Sequence, residues 1–381
     1  MRIIQTPARF YPFIGGVENY VYNLSKELVK LGEEVQVICA REPDNLETDM
    51  LDGIKIERLS YIGKVANTNI TPMLPITLME ADFDLIHTHL PTPWSADWSA
   101  LAAKAKKKPL VLTYHNDIVG RGFSGQMAKL YNLTGLPRLL KLASKIIITQ
   151  PNYLSYSIYL KSYKNKIKVL PVGVDTNTFR PTGRHKEKTG SNKSLFFLGL
   201  LDIFHRYKGL DYLFKALAIV RKEVPDVVLV VGGAGELLDN YRNLAMSLEL
   251  SDNVIFLGFV PDEMLQECYN RCDAFVLPSI SSEQEGFGIV LLEAMASGRP
   301  VISTEIVGVA EDVRRFNAGK IVRPMDINAL AQAILEILKD EELAEEMGRQ
   351  GRRLVEEKYT WRRIGREMLE IYEGLVQGDH R

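Results

Sequence analysis

Two glutamates eight residues apart, Glu285 and Glu293, could do chemistry together. Paired carboxylates are typical of acid/base work on one bond, and a retaining glycosidase needs its two carboxyl groups about 5 Å apart. In one continuous helix these two residues would be separated by about 12 Å along the axis and rotated by about 80°. The spacing therefore disfavours a glycosidase. Either the glutamates are unrelated surface charges, or they hold two different parts of one long ligand.

Two glycines between the glutamates predict where a helix begins. Gly286 and Gly288 disfavour helix, which leaves Glu285 in a loop and starts the helix near Gly288 or Ile289. Glu293 then lies more than a turn further on in an apolar stretch, so its carboxylate should have a hydrogen-bonding partner. The first N–H groups of the helix are unpaired and suit an anion. These groups belong to Phe287, Gly288 and Ile289. Sugar, diphosphate and ribose would match this layout in order.

Two cations precede another predicted helix. Arg206 and Lys208 lie in the segment FHRYKG and could neutralise a diphosphate leaving group. A solvated basic loop explains the same two residues.

Glycine-rich turns follow two of the predicted strands. Gly15 and Gly16 stand between the first strand and the first helix, where backbone N–H groups can approach a phosphate. A tight turn without a ligand is the alternative. Gly232, Gly233 and Gly235 lack the full dinucleotide-binding spacing and favour a structural turn beside a nucleotide site.

Three histidines lie near the ends of two apolar strands. His87 and His89 belong to LIHTHLP, and His115 belongs to VLTYHND. The carboxyl ends of strands are where doubly wound folds bind ligands. Histidines satisfied inside the core are the alternative.

The elements that must position these residues repeat one pattern in both halves of the chain. Short apolar strands alternate with amphipathic helices, which predicts an α/β fold with a parallel, doubly wound sheet in each half. We predict a Rossmann-like domain over residues 1–175, a polar linker over 176–193 and a second Rossmann-like domain over 194–355. A C-terminal amphipathic helix is predicted over 356–381. A cleft between the facing domains is the expected site.

Composition excludes several classes of protein. A hydrophobic content of 46% and a charged content of 25% describe a globular protein, and a net charge of -1 gives no indication of nucleic-acid binding. Cys39, Cys268 and Cys272 are too few for a disulfide framework and suit a reducing compartment, and no metal set is completed around them. Without a membrane-length apolar run or a signal-peptide pattern, the chain is predicted to be cytoplasmic.

The residues around the two glutamates resemble a known family. The stretch EGFGIVLLEAMASGRPVI is similar to the E-x7-E signature of retaining glycosyltransferases of family 4, which have the GT-B architecture. Leu200 is a departure, because an arginine is usual there. Further segments resemble the same family in its usual order: GGVENYVYNLSKELVKLGEEVQV, DLIHTH, LPVGVDTNTFRP, KGLDYLFKAL, VIFLGFVPDEML and CDAFVLPS.

The resemblance implies a role for each candidate residue. Glu285 would contact the hydroxyls of the donor sugar, and Glu293 would contact the ribose. Lys208, with Arg206, would bind the diphosphate, and His115 would lie near the transferred sugar. The catalytic candidates are thus Glu285, His115 and Lys208. The remaining donor-binding candidates are Phe287, Gly288 and Ile289 at sugar and phosphate, Gly15 and Gly16 at phosphate and acceptor, and Phe259 and Val260 at the nucleobase.

The resemblance also implies that the C-terminal helix over 356–381 crosses back to the first domain, and it implies the reaction and the partners. A nucleotide sugar would be the co-substrate, with no further cofactor and no metal, and the acceptor would be a sugar, a polyol or a lipid-linked molecule. A helix over Met127–Lys145 either packs on its own domain, which we favour, or gives a weak association with a membrane surface. The alternatives to a transferase are a GT-B-type sugar-nucleotide 2-epimerase and a non-catalytic nucleotide-sugar-binding protein.

Overall fold

The computed structural model describes residues 1–13, 15–42, 45–65, 68–118, 122–151, 153–182, 193–282 and 284–378. They form two compact units. The first unit contains Met1–Gly173 and Trp361–Arg381, and the second contains Val174–Thr360. Residues 183–192, most of the predicted linker 176–193, lie outside the described residues.

The first unit is built on a mostly parallel sheet. Its strands, in the described part of the chain, are β1 (Arg2–Thr6), β2 (Glu34–Ala40), β3 (Thr48–Leu51), β4 (Ile54–Leu59), β5 (Gly63–Val65), β6 (Thr68–Ile70), β7 (Leu85–Leu90), β8 (Leu110–Tyr114), β9 (Lys145–Ile148) and β10 (Ile167–Val169). The main sheet has the order β10-β9-β8-β7-β1-β2-β4-β3, and β5 pairs with β6 as a separate hairpin. The chain leaves β1 toward β2 and returns to its other side at β7, so the switch point where such sheets bind ligands lies between β1 and β7.

Helices cover this sheet. They are α1 (Gly16–Lys30), α2 (Leu74–Glu80), α3 (Pro93–Ala105), α4 (Gly122–Leu142) and α5 (Tyr153–Tyr156). Strands β7 and β8 are buried along their whole length, as expected for a parallel sheet with both faces covered. Helix α4 packs on its own unit through Leu136, Leu139 and Leu140.

The second unit repeats the doubly wound plan. Its strands are β11 (Ser194–Leu198), β12 (Val228–Gly232), β13 (Val254–Gly258), β14 (Ala274–Leu277), β15 (Val301–Thr304) and β16 (Gly319–Val322). All pairs are parallel in the order β13-β12-β11-β14-β15-β16, which puts the switch point between β11 and β14. Its helices are α6 (Leu210–Val220), α7 (Leu238–Ser247), α8 (Asp262–Arg271), α9 (Ile289–Ala296), α10 (Ala310–Phe316), α11 (Ile327–Lys339) and α12 (Glu341–Lys358).

The last helix, α13 (Trp361–Gly378), belongs to the first unit. Its buried face consists of Trp361, Ile364, Met368 and Tyr372, an amphipathic spacing. The Trp361 ring lies 5.6 Å from that of Tyr20 on α1.

Some elements differ from the sequence prediction. The segment after β15 contains α10 followed by the edge strand β16, which was not predicted. Strand β16 is only four residues long and half-buried, so it has no distinctive apolar run. The antiparallel β3–β4 pair and the β5–β6 hairpin were also not predicted.

Candidate functional site

Lys208 and Glu285 meet at the switch point of the second unit. Lys208 ends a short 3-10 turn after β11, and Glu285 lies in the loop after β14. Lys208 Nζ is 3.6 Å from Glu285 Oε2, with side-chain exposures of 17% and 5%. The loop position predicted for Glu285 is confirmed. Because both groups are shielded from water, their attraction is stronger than that of a surface pair.

Two further contacts fix the Glu285 carboxylate. Ser279 Oγ donates to Oε2, and the N–H of Gly286 donates to Oε1 at 3.1 Å. Ser279 is itself held, because Thr304 Oγ1 donates to its carbonyl oxygen at 2.7 Å. Ser279 was not predicted as a site residue, since a serine after a strand has no distinguishing sequence signal.

The start of α9 carries free backbone donors. Helix α9 begins at Ile289 with Gly288 as its N-cap, as the sequence predicted. Gly288 has φ +80°, and a Cβ there would lie 2.6 Å from Val307 Cγ1, so glycine is required. The structure records no hydrogen bond from the N–H groups of Phe287, Gly288 or Ile289 to any described residue. These groups can therefore bind an anion.

Glu293 has the partner that its apolar setting predicted. Tyr269 on α8 donates its hydroxyl to Glu293 Oε2 at 2.7 Å. Burial raises the pKa of Glu293 to about 7, while the Tyr269 hydrogen bond lowers it and Asp262 raises it further. The side chain keeps some exposure and can be reached by a ligand.

Arg206 is not part of this group in the described structure. Its side chain is 61% exposed, and Nη2 lies 4.0 Å from Asp211 Oδ2. Leu200, at the position where the family usually has an arginine, is exposed. Lys208 is thus the cation that the structure brings to Glu285.

The loop after β13 presents one aromatic ring to solvent. Phe259 is 76% exposed, whereas Val260 is buried. Gly232 and Gly233 form a turn nearby, in which the N–H of Gly233 donates to the Gly258 carbonyl at 2.7 Å. That N–H is used within the protein, which agrees with the predicted structural turn.

In the first unit, an internal carboxylate lies at the start of α1. A Cβ on Gly15 would lie 2.5 Å from Glu18 Oε2, while a Cβ on Gly16 would meet nothing within 4 Å. Glu18 Oε1 is 3.7 Å from Arg9 Nε, and burial raises the pKa of Glu18. Sequence reasoning missed Glu18. Its carboxylate lies next to Gly15, whereas no described atom crowds the Cβ position of Gly16.

Three histidines form a buried group near the switch point of the first unit. His87 Nδ1 lies 2.5 Å from the Tyr372 hydroxyl, and His87 Nε2 lies 2.6 Å from Thr113 Oγ1. His89 Nδ1 lies 3.3 Å from His115 Nε2. Burial lowers the pKa of His87 to about 3 and that of His115 to about 4. The three rings are therefore neutral at pH 7, and only His115 keeps some exposure.

A pocket of about 480 Å³ lies beside these strand ends in the first unit. Its walls come from the β5–β6 hairpin, α3, the loop after β8 and α4. Trp94 and Tyr131 supply aromatic surface, and Asp97 and Asp117 supply carboxylates. Each carboxylate accepts from a tyrosine hydroxyl, Asp97 from Tyr131 at 2.9 Å and Asp117 from Tyr114.

The described residues form neither a metal site nor a disulfide nor a membrane span. No group of three His, Cys, Asp or Glu side chains there could hold a metal ion. Cys39, Cys268 and Cys272 are free thiols. No helix formed by the described residues is long and apolar enough to cross a membrane.

Family models match most of the chain. The model described as Glycosyltransferase Family 4 matches residues 14–178, and that described as Glycosyl transferases group 1 matches residues 182–354. The chain is 29% identical to the O-antigen chain mannosyltransferase C of Escherichia coli, over 99% of both chains. It is 27% identical to the phosphatidyl-myo-inositol mannosyltransferase of Mycolicibacterium smegmatis, over 94% of this chain and 90% of the relative.

Solved structures show the same fold. A sucrose-phosphate synthase from Thermosynechococcus elongatus superposes with a TM-score of 0.76 at 24% identity, over 99% of both chains. Anabaena HepE in complex with UDP-glucose superposes with a TM-score of 0.75 at 20% identity, over 98% of this chain and 100% of that one. These likenesses establish the GT-B fold. The chain therefore belongs to glycosyltransferase family 4 and transfers a sugar from a nucleotide sugar.

Proposed function

We propose that this glycosyltransferase moves a hexose with retention of anomeric configuration, without a metal, onto a hydroxyl group of a sugar, polyol or lipid-linked acceptor. The observation that carries the proposal is the pair of Lys208 and Glu285 beside the free amides of α9. A cation and unpaired N–H groups suit a diphosphate, and a fixed carboxylate suits sugar hydroxyls.

In this proposal catalysis comes from orientation and from charge stabilisation on the leaving group. Lys208 and the α9 amides stabilise the nucleoside diphosphate as the bond from its oxygen to the sugar C1 breaks. The acceptor oxygen bonds to C1 on the same face, and its proton passes to the departing phosphate oxygen. Glu285 accepts hydrogen bonds from the sugar hydroxyls, Glu293 accepts them from the ribose, and Phe259 lies against the base.

For the donor, we propose a GDP-mannose type ahead of a UDP-glucose type. Named mannosyltransferases are among the relatives, including a GDP-mannose-dependent enzyme of Mycolicibacterium smegmatis at 28% identity. A thermal-shift screen of nucleotide sugars can identify the base and the sugar of the donor independently. Because a ligand raises the melting temperature through RT ln(1 + [L]/Kd), the true donor should give the largest shift among UDP-, GDP- and ADP-sugars.

For the acceptor, we propose the pocket lined by Trp94, Asp97, Asp117 and Tyr131. Aromatic faces and carboxylates suit a neutral, hydroxyl-rich ring better than an anionic group. Leu130 and Leu133 on α4 are exposed, and we propose that they give a weak membrane-surface association for a lipid-linked acceptor.

Two variants test the donor site. Glu285→Ala should abolish sugar transfer while free-nucleotide affinity stays largely intact, and Glu293→Ala should weaken nucleotide binding. Glu311→Ala, at a side chain that is 85% exposed, is the control. Transfer at the wild-type rate by both variants would refute the assignment.

The sugar-transfer assay also tests retention, metal independence and the two alternative functions. The anomeric configuration of the product, read by NMR, should match that of the donor, and activity should survive chelation of divalent metals. Release of nucleotide that needs no acceptor would instead support the 2-epimerase. Binding without either reaction would support the non-catalytic protein.

A further inference from the structure

A line of polar side chains in the first unit runs behind His115. Gln5 on β1, His89 on β7 and His115 after β8 lie side by side across the sheet. Gln5 Oε1 is 2.9 Å from His89 Nε2, and His89 Nδ1 is 3.3 Å from His115 Nε2. Gln5 and His89 are fully buried. Each of the two contacts needs one hydrogen, so donors and acceptors must follow one consistent order along the line.

The orientation of the Gln5 amide sets that order. The atom of the amide within hydrogen-bond distance of His89 is the oxygen, Oε1. Gln5 Nε2 has no hydrogen-bond partner among the described residues. The amide oxygen thus faces His89.

The Gln5 oxygen determines which nitrogen of His89 carries a hydrogen, and His89 in turn determines the tautomer of His115. A carbonyl oxygen only accepts, so His89 must carry its hydrogen on Nε2. Burial lowers the pKa of His89 well below its ordinary value, so the ring is neutral and its Nδ1 is a lone pair. His115 must then donate from Nε2, which leaves a lone pair on His115 Nδ1. The structure records no hydrogen bond between that Nδ1 and a described residue.

The His115 ring is also held in place. The Tyr20 ring meets it edge-on at 5.0 Å, and the His89 ring lies nearly parallel to it, inclined by 24° with 5.6 Å between ring centroids. His87 is equally buried but pairs with Tyr372 and Thr113, so it is not a member of the line.

We propose that Gln5 and His89 are positioning residues that hold His115 in its Nε2–H tautomer and present Nδ1 as a fixed acceptor for a hydroxyl of the transferred sugar. The tautomer rests on these contacts and on the neutral, buried His89 ring, whereas the sugar contact rests on the proposed function. A site built to accept from a hydroxyl discriminates against a donor sugar that lacks it.

The tautomer is tested without substrate. In protein labelled with 15N at its histidines, long-range 1H–15N spectra distinguish protonated from unprotonated ring nitrogens, and His115→Asn identifies the His115 signals. We expect a protonated Nε2 and an unprotonated Nδ1 from pH 6 to pH 8. The opposite tautomer in the wild-type protein would overturn the proposal, whatever the enzyme transfers.

Variants test the positioning role. Gln5→Met and His89→Leu should release His115 into a mixture of tautomers, while His89→Asn, whose side-chain oxygen can replace Nδ1, should restore the Nε2–H form. His87→Gln is the matched control for loss of a buried histidine, and it should leave His115 unchanged. An unaltered His115 tautomer in both Gln5→Met and His89→Leu would refute the role.

Kinetics test the sugar contact separately. Gln5→Met should lower kcat/KM about three- to tenfold, as for loss of one neutral hydrogen bond, with free-nucleotide affinity unchanged. A set of deoxy donors, each lacking one sugar hydroxyl, identifies the contact. For the donor that lacks the hydroxyl bound by His115, kcat/KM should be the same in Gln5→Met and in the wild-type enzyme. If Gln5→Met lowers kcat/KM for every deoxy donor as much as for the complete donor, His115 does not contact the sugar. If the wild-type protein transfers no sugar, the proposed function fails, and the spectra still decide the tautomer.

Discussion

Glu293 is a carboxylate in a place that disfavours its charge. Its pKa of about 7 lies above the ordinary value of 4.5, mainly because of burial. Between these two values the folded protein keeps a proton that the unfolded chain has lost. Stability from this group is therefore full below about pH 4.5 and falls as pH rises to about 7. A buried glutamate at this position therefore lowers the stability of the protein at neutral pH. Such a cost is expected where the carboxylate has a binding role.

Because stability falls as Glu293 ionises, we predict that Glu293→Gln stabilises the protein at high pH. The variant should melt at a higher temperature than the wild-type protein at pH 8, by the equivalent of about 2 kcal/mol, and the difference should vanish near pH 4.5. Glutamine still accepts from Tyr269, so the local hydrogen bond is kept. Calorimetry of the ligand-free protein at several pH values measures the effect. Glu311→Gln should show no such trend, and a stability gap independent of pH would contradict the prediction.

The sequence indicated candidate site residues more readily than it indicated the residues that they contact. The apolar surroundings of Glu293 predicted a partner, yet Tyr269 lies on another helix, 24 residues away. Ser279 and Gln5 were not predicted as partners of Glu285 and His89, because their contacts depend on loop paths and strand order. Arg206 was grouped with Lys208 from adjacency in sequence, whereas the turn directs its side chain to Asp211.

At the scale of elements, the start of α9 depends on one glycine. Gly288→Ala places a Cβ 2.6 Å from Val307 Cγ1 at a residue with φ +80°. The strain should cost about 1–3 kcal/mol, lower the melting temperature and weaken nucleotide binding by shifting the first amides of the helix. Thermal unfolding and calorimetric titration with GDP or UDP measure both effects.

Gly286→Ala is the matched control two residues away. Nothing lies within 4 Å of a Cβ built there, and its φ is not in the left-handed region. It should leave the melting temperature nearly unchanged. Equal destabilisation by the two substitutions would show that the conformation of Gly288 is not what sets the helix start.

Elements with a strong period were predictable, and weak ones were not. The helix break at Gly286 and Gly288 and the buried strands β7 and β8 followed directly from residue types. Strand β16 and the β5–β6 hairpin did not, because three or four half-buried residues carry no distinctive pattern. Such short edge elements form through pairing with neighbours already in place.

At the scale of the whole molecule, the alternation of strands and helices was sufficient to predict two doubly wound sheets. The alternation did not indicate how close together the two connections between the units lie in the fold. The chain enters the second unit between residues 173 and 174 and leaves it between residues 360 and 361, and these two connections lie close together. A Cβ on Gly173 would lie 3.0 Å from Trp361 Cα, and the N–H of Val174 donates to the Tyr359 carbonyl at 2.7 Å. The second unit is therefore a continuous insertion into the first.

This connectivity predicts that the units can be separated. Residues 174–360 should fold alone and bind nucleotide, because Lys208, Glu293 and the α9 amides all lie within them. Residues 1–173 alone should not fold cooperatively, because α13 buries Trp361, Ile364, Met368 and Tyr372, worth about 6–12 kcal/mol, which matches the stability of a whole domain. Joining 1–173 to 361–381 through a short Gly-Ser linker should restore one sharp transition by circular dichroism. If residues 1–173 alone melted as cooperatively as that fusion, α13 would not be required for the folding of the first unit.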